Sequence, residues 1–418
     1  MLDIKFIREN QEAVKKAIKE KAMDLDLDKL LAVDDDRRKL IHEIDEVRKE
    51  RKAASAGRDI ELGKKLKAKL QDLEKKLIEV ETEYNGLMLI VPNIPSDDTP
   101  RGGEADFKVV EEWGDKPKFD FETRDHIELG KTLDILDLER GVKVSGFRGY
   151  YLKNEGALLH LGILWYALRK MIEKGFTPMI TPTMVREFAL FGSGHFPFGR
   201  GEIYEVEEYT TAKEKEIKFL AGTAEPSLLA YHADEVLDEK DLPVRICGFS
   251  PCYRREVGGY GKDTKGVYRI HEFMKVEQVV LCKNDIAESE KWHMEMGSYS
   301  KELLRSLELP YREIQIATGD MGAGKYKMYD IETWMPARGS YGETHSNSNL
   351  TDWQSRRLNL RYKAKDGKLQ FVHALNNTVI ASPRILIAIL ENNQEKDGSV
   401  RVPKVLQEFV GKKQISPK

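Results

Sequence analysis

The chain has 418 residues, of which 40% are apolar and 33% charged, and its formal net charge is −3. This length allows two or three domains with a substantial core, and the charge excludes a global positive field, so a nucleic-acid ligand would need a local basic patch. Three cysteines are too few for a disulfide framework, and neither a signal core nor an apolar run of membrane-spanning length is present. We therefore expect a cytoplasmic protein without a membrane partner.

The first hundred residues predict a helical hairpin. Apolar or long-stemmed side chains recur at alternating steps of three and four in residues 30–54 and again in residues 66–87, which is the period of a coiled-coil seam. The intervening SAGRD has Gly57 as a turn residue, and two long helices joined by a short turn fold back antiparallel. We expect the hairpin at about 28–90, within an N-terminal domain of residues 1–100. The prolines of residues 91–100 would form the hinge into a second domain, 101–418.

The far half of this hairpin is basic. Residues 48–76 carry eleven basic and five acidic side chains, a net charge of +6. The basic ones are Arg48, Lys49, Arg51, Lys52, Arg58, Lys64, Lys65, Lys67, Lys69, Lys75 and Lys76. Two interpretations fit the hairpin alone: a solvated coiled-coil surface, or an arm that lies along a phosphate backbone.

The second domain contains both helical and strand-like sequence patterns, which predicts an α+β fold. Residues 156–174 form an amphipathic helical pattern, whereas 246–253 and 274–282 are short apolar runs typical of strands. Helices and strands do not alternate in a βαβ rhythm, which favours an antiparallel sheet flanked by helices. Neither a GxxxxGK[ST] loop nor a GxGxxG loop after a strand is present, so the two common phosphate-loop folds are not supported.

Residues 249–278 read as a strand, a glycine-rich loop and a second strand. Charged side chains crowd these two strands, which is unfavourable unless they bind a charged ligand. They are Arg254, Arg255, Glu256, Arg269, His271, Glu272 and Glu277. The loop between them would be free to close over a ligand because of its glycines, Gly258, Gly259, Gly261 and Gly266.

This segment resembles motif 2 of the class II aminoacyl-tRNA synthetases and, in detail, that of the seryl-tRNA synthetase family. The resemblance implies that Arg254 is catalytic and contacts the α-phosphate of ATP, while Glu256 reads the adenine amino group. It also implies that Phe273 stacks on adenine, that Arg269 reaches the γ-phosphate and that Glu277 holds the ammonium of serine. The same family pattern adds four residues to the ATP-binding set: Arg255, Ile270, His271 and Glu272.

Three other segments resemble the same family. TAEPSL (223–228) is similar to its substrate loop, which implies serine contacts by Thr223, Ala224 and Glu225. ETHSNSN (343–349) is similar to its second ATP segment, which implies ATP contacts by Glu343, Thr344, His345 and Ser346. Of these four, Glu343 and Ser346 would hold Mg²⁺ with the phosphates, and carboxylate and hydroxyl oxygens suit that ion.

Residues 375–392 resemble motif 3, with Arg384 at the position of the family's ATP-binding, catalytic arginine. Asn376 and Thr378 fall where the hydroxyl of serine is bound. The chain departs from the family's glycines here, since it has Asn377, Val379 and Pro383. Residues 171–185 resemble motif 1, which implies a homodimer.

The resemblance covers nearly the whole chain. It implies a serine–tRNA ligase that uses ATP and Mg²⁺ to convert L-serine to seryl-adenylate and then transfers serine to tRNA-Ser; tRNA-Sec stays open as a second acceptor. The hairpin would then be the arm that reaches the long variable arm of tRNA. Three alternatives remain. A ligase that charges a carrier protein would be expected to lack the arm, and a non-catalytic binding protein would have lost some of the charged residues. The third alternative is a structural coiled-coil protein.

Overall fold

A computed structural model of the chain describes residues 1–209, 215–257 and 265–418. Its compact units are Met1–Ile94 and Pro95–Lys418, whereas the sequence predicts a boundary after residue 100. The α-helices are α1 (Ile4–Glu9), α2 (Gln11–Glu20), α3 (Leu27–Ala56), α4 (Ile60–Leu89), α5 (His126–Thr132), α6 (Leu138–Ser145), α7 (Asn154–Glu173), α8 (Glu187–Ser193), α9 (Glu225–Ala230), α10 (Ile286–Ser306), α11 (Trp353–Arg357), α12 (Arg384–Asn392) and α13 (Gln407–Val410).

The strands are β1 (Lys108–Trp113), β2 (Leu136–Asp137), β3 (Tyr151–Leu152), β4 (Thr177–Ile180), β5 (Met184–Arg186), β6 (Tyr204–Tyr209), β7 (Lys215–Leu220), β8 (Val236–Asp238), β9 (Val244–Tyr253), β10 (Glu272–Cys282), β11 (Tyr311–Gln315), β12 (Lys327–Met335), β13 (Ser340–Asn349), β14 (Arg361–Lys363), β15 (Leu369–Phe371), β16 (His373–Ser382), β17 (Val400–Arg401) and β18 (Gln414–Ile415). Among the described residues, none of the helices has both the length and the apolar content that a membrane span requires.

Helices α3 and α4 form the predicted antiparallel hairpin. Ion pairs join Lys29 to Glu83 and, further along, Arg48 to Glu74, so α4 runs back as α3 advances. Between the helices lies an apolar seam whose buried members are Ile44, Val47, Ala54, Leu66, Leu70 and Leu73. The burial of this seam stabilises the hairpin because alternate steps of three and four keep one stripe of each helix against the other.

The turn of the hairpin contains Gly57, as predicted, and its left-handed residue is Arg58. Gly57 keeps a right-handed conformation, with φ −79°, and donates its N–H to the carbonyl of Ala53. Arg58 has the left-handed conformation, with φ 58°, which costs a non-glycine residue roughly 1–2 kcal/mol. Asp59 then caps the start of α4 by accepting a hydrogen bond from Leu62 N–H. Since Gly57 caps the end of α3, the chain reverses direction at Arg58, between the two caps.

The second unit is built on an eight-stranded sheet, and this confirms the α+β class. The strand order is β1-β11-β12-β13-β16-β10-β9-β4, with every neighbouring pair antiparallel except β4 and β9. The predicted helix at 156–174 is α7, and the predicted strands at 246–253 and 274–282 are β9 and β10. The core forms where α7, α10 and α12 pack on this sheet, and it includes Leu159, Ile163, Met296, Leu303, Ile385 and Ile389 from the helices and Val276, Val280 and Val379 from the strands.

The three cysteines are unpaired and buried on the inner strands β9 and β10. Burial raises the pKa of the Cys247 thiol to about 12 and also raises the pKa of the Cys252 thiol. These side chains therefore behave as small apolar packing groups.

Candidate active site

A cavity of about 220 Å³ lies over the inner strands of the second unit. Strands β10, β13 and β16, the segments that follow β7 and β9, and the start of α12 all contribute to its wall. The residues singled out in the sequence that line it are Thr223, Glu225, Arg254, Glu256, Ile270, Phe273, Glu277, Glu343, Thr344, Ser346, Asn376, Thr378 and Arg384. Four segments that are far apart in the sequence thus converge on one cavity.

A β-bulge on β13 sets the direction of two of these side chains. The pairing with β12 joins Ile331 to His345 but Glu332 to Glu343, so Thr344 is an extra residue. In a regular strand, residues three apart point to opposite faces. Because a bulge adds one residue and resets the alternation, Glu343 and Ser346 both face the cavity.

A second bulge acts in the same way on β16. Its pairing with β10 joins Val276 to Ile380 but Glu277 to Thr378, so Val379 is the extra residue and is fully buried. Thr378 and Ala381, which are also three apart, consequently both line the cavity. The departure from the family's glycines at Val379 therefore falls on the residue that the bulge inserts.

One end of the cavity combines the buried carboxylate of Glu277 and the half-buried one of Glu225 with several donors. The Lys275 ammonium lies 2.5 Å from Glu277 Oε2 and donates to Thr223 Oγ1 at 2.6 Å. Glu225 Oε1 accepts a hydrogen bond of 2.9 Å from the Asn376 side-chain amide. Burial raises the pKa of both Glu277 and Glu225, and nearby cations, above all Lys275 at Glu277, oppose that rise. This end suits a small ligand with a positive charge and a hydrogen-bonding group.

The other end presents two guanidinium groups. Arg254 donates from Nε to Gly222 O at 3.2 Å, and its guanidinium lies 5.2 Å from the ring centre of Phe273. Arg384 donates from Nη1 to the Glu343 carbonyl at 2.8 Å, and its guanidinium also lies 4.4 Å from the ring centre of Tyr268. Planar guanidinium groups match phosphate oxygens in geometry and charge, so this end suits a nucleotide.

The remaining predicted residues do not line the cavity. They are Ala224, Arg255, Arg269, His271, Glu272 and His345. Arg269 forms an ion pair of 3.1 Å with Glu256, which does line it, and His271 Nδ1 lies 3.0 Å from the Arg254 carbonyl. His345 is buried, and that burial lowers its pKa to about 4. The predicted loop glycines Gly258, Gly259 and Gly261 lie outside the described residues.

Eight lining residues have no predicted role, namely His195, Val267, Tyr268, Lys275, Lys325, Ala381, Ser382 and Pro383. Lys275 could have been found, because it lies two residues before Glu277 and therefore on the same face of a strand. His195 and Lys325 carry no comparable signal, since each reaches the cavity from an irregular segment.

The acidic residues beside Arg384 fit a divalent cation that binds together with phosphate. Asp330 pairs in register with Ser346, and its Oδ1 is buried without a hydrogen-bond partner in the described part of the chain. Burial raises the pKa of Asp330 well above its usual range, and the negative charge of Glu343 adds to this effect. Within that same part of the chain, no group of three or more His, Cys, Asp or Glu side chains could hold a metal ion unaided. Mg²⁺ commonly takes one or two carboxylates and completes its shell with phosphate and water, so Glu343 and Ser346 fit such an ion.

Comparisons with known proteins agree along the chain. Residues 1–95 match the family model "Seryl-tRNA synthetase N-terminal domain", and residues 204–393 match "tRNA synthetase class II core domain (G, H, P, S and T)". A serine–tRNA ligase of Deinococcus radiodurans is 45% identical, covering 99% of both chains, and one of Borrelia garinii is 43% identical, covering 98% of both. The crystal structure of seryl-tRNA synthetase from Pyrococcus horikoshii complexed with ATP is similar with a TM-score of 0.91, 39% identity and full coverage of both chains. The Naegleria fowleri serine–tRNA ligase in complex with AMP is similar with a TM-score of 0.88, 31% identity and coverage of 100% of this chain and 99% of that one. The chain therefore belongs to the seryl-tRNA synthetase family of class II.

Proposed function

We propose that the chain activates L-serine with ATP and transfers the serine to tRNA-Ser. The observation that carries this proposal is the convergence of Arg254, Glu277, Glu343 and Arg384 on one cavity. One end of that cavity has the charges that a nucleotide needs, and the other end those of a small zwitterion. The N-terminal hairpin favours tRNA as the acceptor rather than a carrier protein, because a carrier-protein ligase would have no use for such an arm.

In the first step, the serine carboxylate attacks the α-phosphorus of ATP, and pyrophosphate leaves on the opposite side. Arg254 binds the α-phosphate and stabilises the negative charge that builds on it, while Arg384 contacts the departing phosphates. Glu343 and Ser346 would hold Mg²⁺, which supplies charge neutralisation for the phosphate oxygens. No side-chain nucleophile is required, since positioning and charge stabilisation account for catalysis of this kind.

Within this proposal, ATP lies with its base against Phe273. The Glu256 carboxylate accepts a hydrogen bond from the adenine amino group, and Arg269, which pairs with Glu256 in the free protein, turns toward the γ-phosphate. Phe273 and Glu256 support this placement, because both line the same cavity as the two guanidinium groups, and the ring centre of Phe273 lies 5.2 Å from the Arg254 guanidinium.

Serine selection rests on the carboxylates of Glu277 and Glu225. The substrate ammonium pairs with Glu277, and the hydroxyl is held by Asn376 and Thr378 together with Glu225. A pocket that hydrogen-bonds a hydroxyl rejects the analogue without it by roughly 10⁴ or more, because its buried polar groups are left unpaired. Alanine should therefore be activated far less efficiently than serine.

The second step passes serine from the adenylate to the terminal ribose of tRNA. We place the long variable arm of tRNA-Ser against the basic half of the hairpin. Lys64, Lys65, Lys67 and Lys69 lie on α4, and the side chain of Lys64 is 71% exposed, although its ammonium also pairs with Glu61. Phosphate contacts of this kind give affinity without base specificity.

A homodimer is part of the proposal. Large apolar side chains are exposed on α7 and on the following strands, including Leu161, Trp165, Ile180 and Met184. Ile180 is 87% exposed, and an exposed apolar patch of this kind marks an interface. Ile180 and Met184 lie within the segment that resembles motif 1, and Leu161 and Trp165 precede it on α7.

The direct test is ATP–pyrophosphate exchange with Arg254→Ala. Removing a preorganised charge that acts in the transition state typically lowers the rate by about 10²–10³-fold, so we expect a loss of at least that size with serine as the substrate. Arg401→Ala is a matched control, because Arg401 forms a surface ion pair with Glu308. Near-normal exchange by the Arg254 variant would remove Arg254 from the mechanism.

A further inference from the structure

His126 lies outside the cavity yet contacts its wall. It is the first residue of α5, where Asp125 caps the helix by accepting hydrogen bonds from Ile127 and Glu128. His126 is 9% exposed, and its Nε2 lies 3.2 Å from the backbone nitrogen of Val267. Val267 and the adjacent Tyr268 line the cavity.

The hydrogen bonds around this ring define its tautomer. The Val267 N–H can only donate, so His126 Nε2 must be an unprotonated acceptor. The ring proton then lies on Nδ1, which is 3.2 Å from Glu391 Oε1. The imidazole therefore accepts on one side from the wall of the cavity and donates on the other to a buried carboxylate.

Glu391 belongs to the last turn of α12, where the helix dipole disfavours a carboxylate. Three donors compensate for this: the backbone N–H and the ring Nδ1 of His126 on Oε1, and the backbone N–H of Ala337 on Oε2. Glu391 is 1% exposed. A buried carboxylate with three fixed donors is a rigid anchor, because moving it would leave unpaired polar groups.

Gly266 shows that the ring and the chain at Val267 fit closely. It has φ +66°, and a Cβ atom built on it would lie 2.0 Å from His126 Nε2. Only glycine allows both that conformation and the approach of the ring. Next along the chain, the Tyr268 carbonyl accepts a hydrogen bond of 3.2 Å from Arg384 Nε.

We propose that His126 is a positioning residue for ATP, which ties the wall of the nucleotide end at Val267 and Tyr268 to Glu391 of α12. Through Tyr268, this tie also fixes the orientation of Arg384. The serine-binding residues lie on other segments than residues 266–268, so we expect the tie to affect ATP and not serine. The inference rests on the proposed placement of ATP beside Arg254 and Arg384.

Two substitutions separate the two bonds of the ring. The amide of glutamine reaches the position of Nε2, so His126→Gln keeps an acceptor for Val267. The amide of asparagine reaches only the position of Nδ1, so His126→Asn keeps the donor to Glu391 and leaves the Val267 N–H unpaired. We expect His126→Asn to raise the KM for ATP about five- to tenfold, the effect of one lost buried hydrogen bond, with an unchanged KM for serine. His126→Gln loses the donor to Glu391 and so breaks the other end of the tie, and it should also raise the KM for ATP with an unchanged KM for serine.

The assay is pyrophosphate exchange at varied ATP and varied serine, with His232→Asn as the matched control, since His232 forms a surface pair with Glu235. An unchanged KM for ATP in His126→Asn would overturn the proposal. Equal increases of both KM values in both His126 variants would also overturn it, because they would indicate a merely structural role. Serine-dependent exchange by the wild type tests the proposed function separately and does not depend on the outcome for His126.

Hydrogen exchange of the wild-type protein needs no variant. The Val267 amide should exchange at least tenfold more slowly than an unprotected amide, without any ligand present. Exchange at the unprotected rate would overturn the proposal even if the His126 variants failed to fold.

Discussion

Glu277→Gln tests the charge that we assign to the serine ammonium. Glu277 is 2% exposed and its partner Lys275 is 5% exposed, so their pairing takes place away from water. Removing one charge from a buried, hydrogen-bonded pair costs about 2–5 kcal/mol. Glutamine keeps a hydrogen-bonding side chain, so we take the lower part of that range, about 2–3 kcal/mol, which corresponds to roughly 30- to 150-fold in kcat/KM for serine.

The assay is pyrophosphate exchange with serine varied at saturating ATP, then with ATP varied at saturating serine. The loss should appear in the serine dependence, while the KM for ATP stays within about threefold of the wild type, because Glu277 belongs to the other end of the cavity. Glu302→Gln is the control, since Glu302 pairs with Lys174 at the surface. A kcat/KM for serine within threefold of the wild type would refute the assignment, as would activation of a serine analogue that carries a hydroxyl in place of the ammonium.

Three other predictions concern the arm, the pH dependence and the assembly. Charge reversal of Lys64, Lys65 and Lys67 to Glu should weaken tRNA binding, measured by filter binding, at least tenfold at moderate salt while pyrophosphate exchange stays normal. The same change at Lys39, nearer the base of α3, should leave both tRNA binding and pyrophosphate exchange normal. Burial raises the pKa of Glu225 and Glu277, the two carboxylates of the serine end. They therefore take up protons at pH values above about 4.3, the ordinary pKa of a glutamate. Since only the ionised form pairs with an ammonium, kcat/KM for serine should fall toward acid with a midpoint above that value, and a midpoint at or below it would contradict the burial argument. Ile180→Asp should shift the sedimentation coefficient from dimer to monomer, and an unchanged dimer would place the interface elsewhere.

The hairpin and the class of the fold could be predicted because their signals are local. A seam of period 3.5 fixes which face of α3 and α4 is buried, and the irregular order of helices and strands excludes a βαβ sheet. The turn was only partly predictable. Gly57 marks the turn in the sequence, but no sequence signal indicates that Arg58 rather than Gly57 takes the left-handed conformation.

The site was predicted where a resemblance marked its residues, and less well where geometry alone decides. Glu343 and Ser346 are three apart on one strand, so a strict period of two would have sent them to opposite faces. The extra residue Thr344 brings them together, and a bulge leaves no clear mark in a single sequence. His195 and Lys325 come from irregular segments, whose direction depends on tertiary contacts.

The burial of all three native cysteines makes the chain a convenient background for site-directed labelling. Maleimides and other alkylating probes react with accessible thiolates, and these thiols are both buried and protonated at neutral pH. A single cysteine introduced at Gly63, a position on α4 where an added Cβ meets no atom within 4 Å, would thus be labelled selectively without first removing the native cysteines. A fluorophore placed there could report the docking of a nucleic acid on the hairpin in real time.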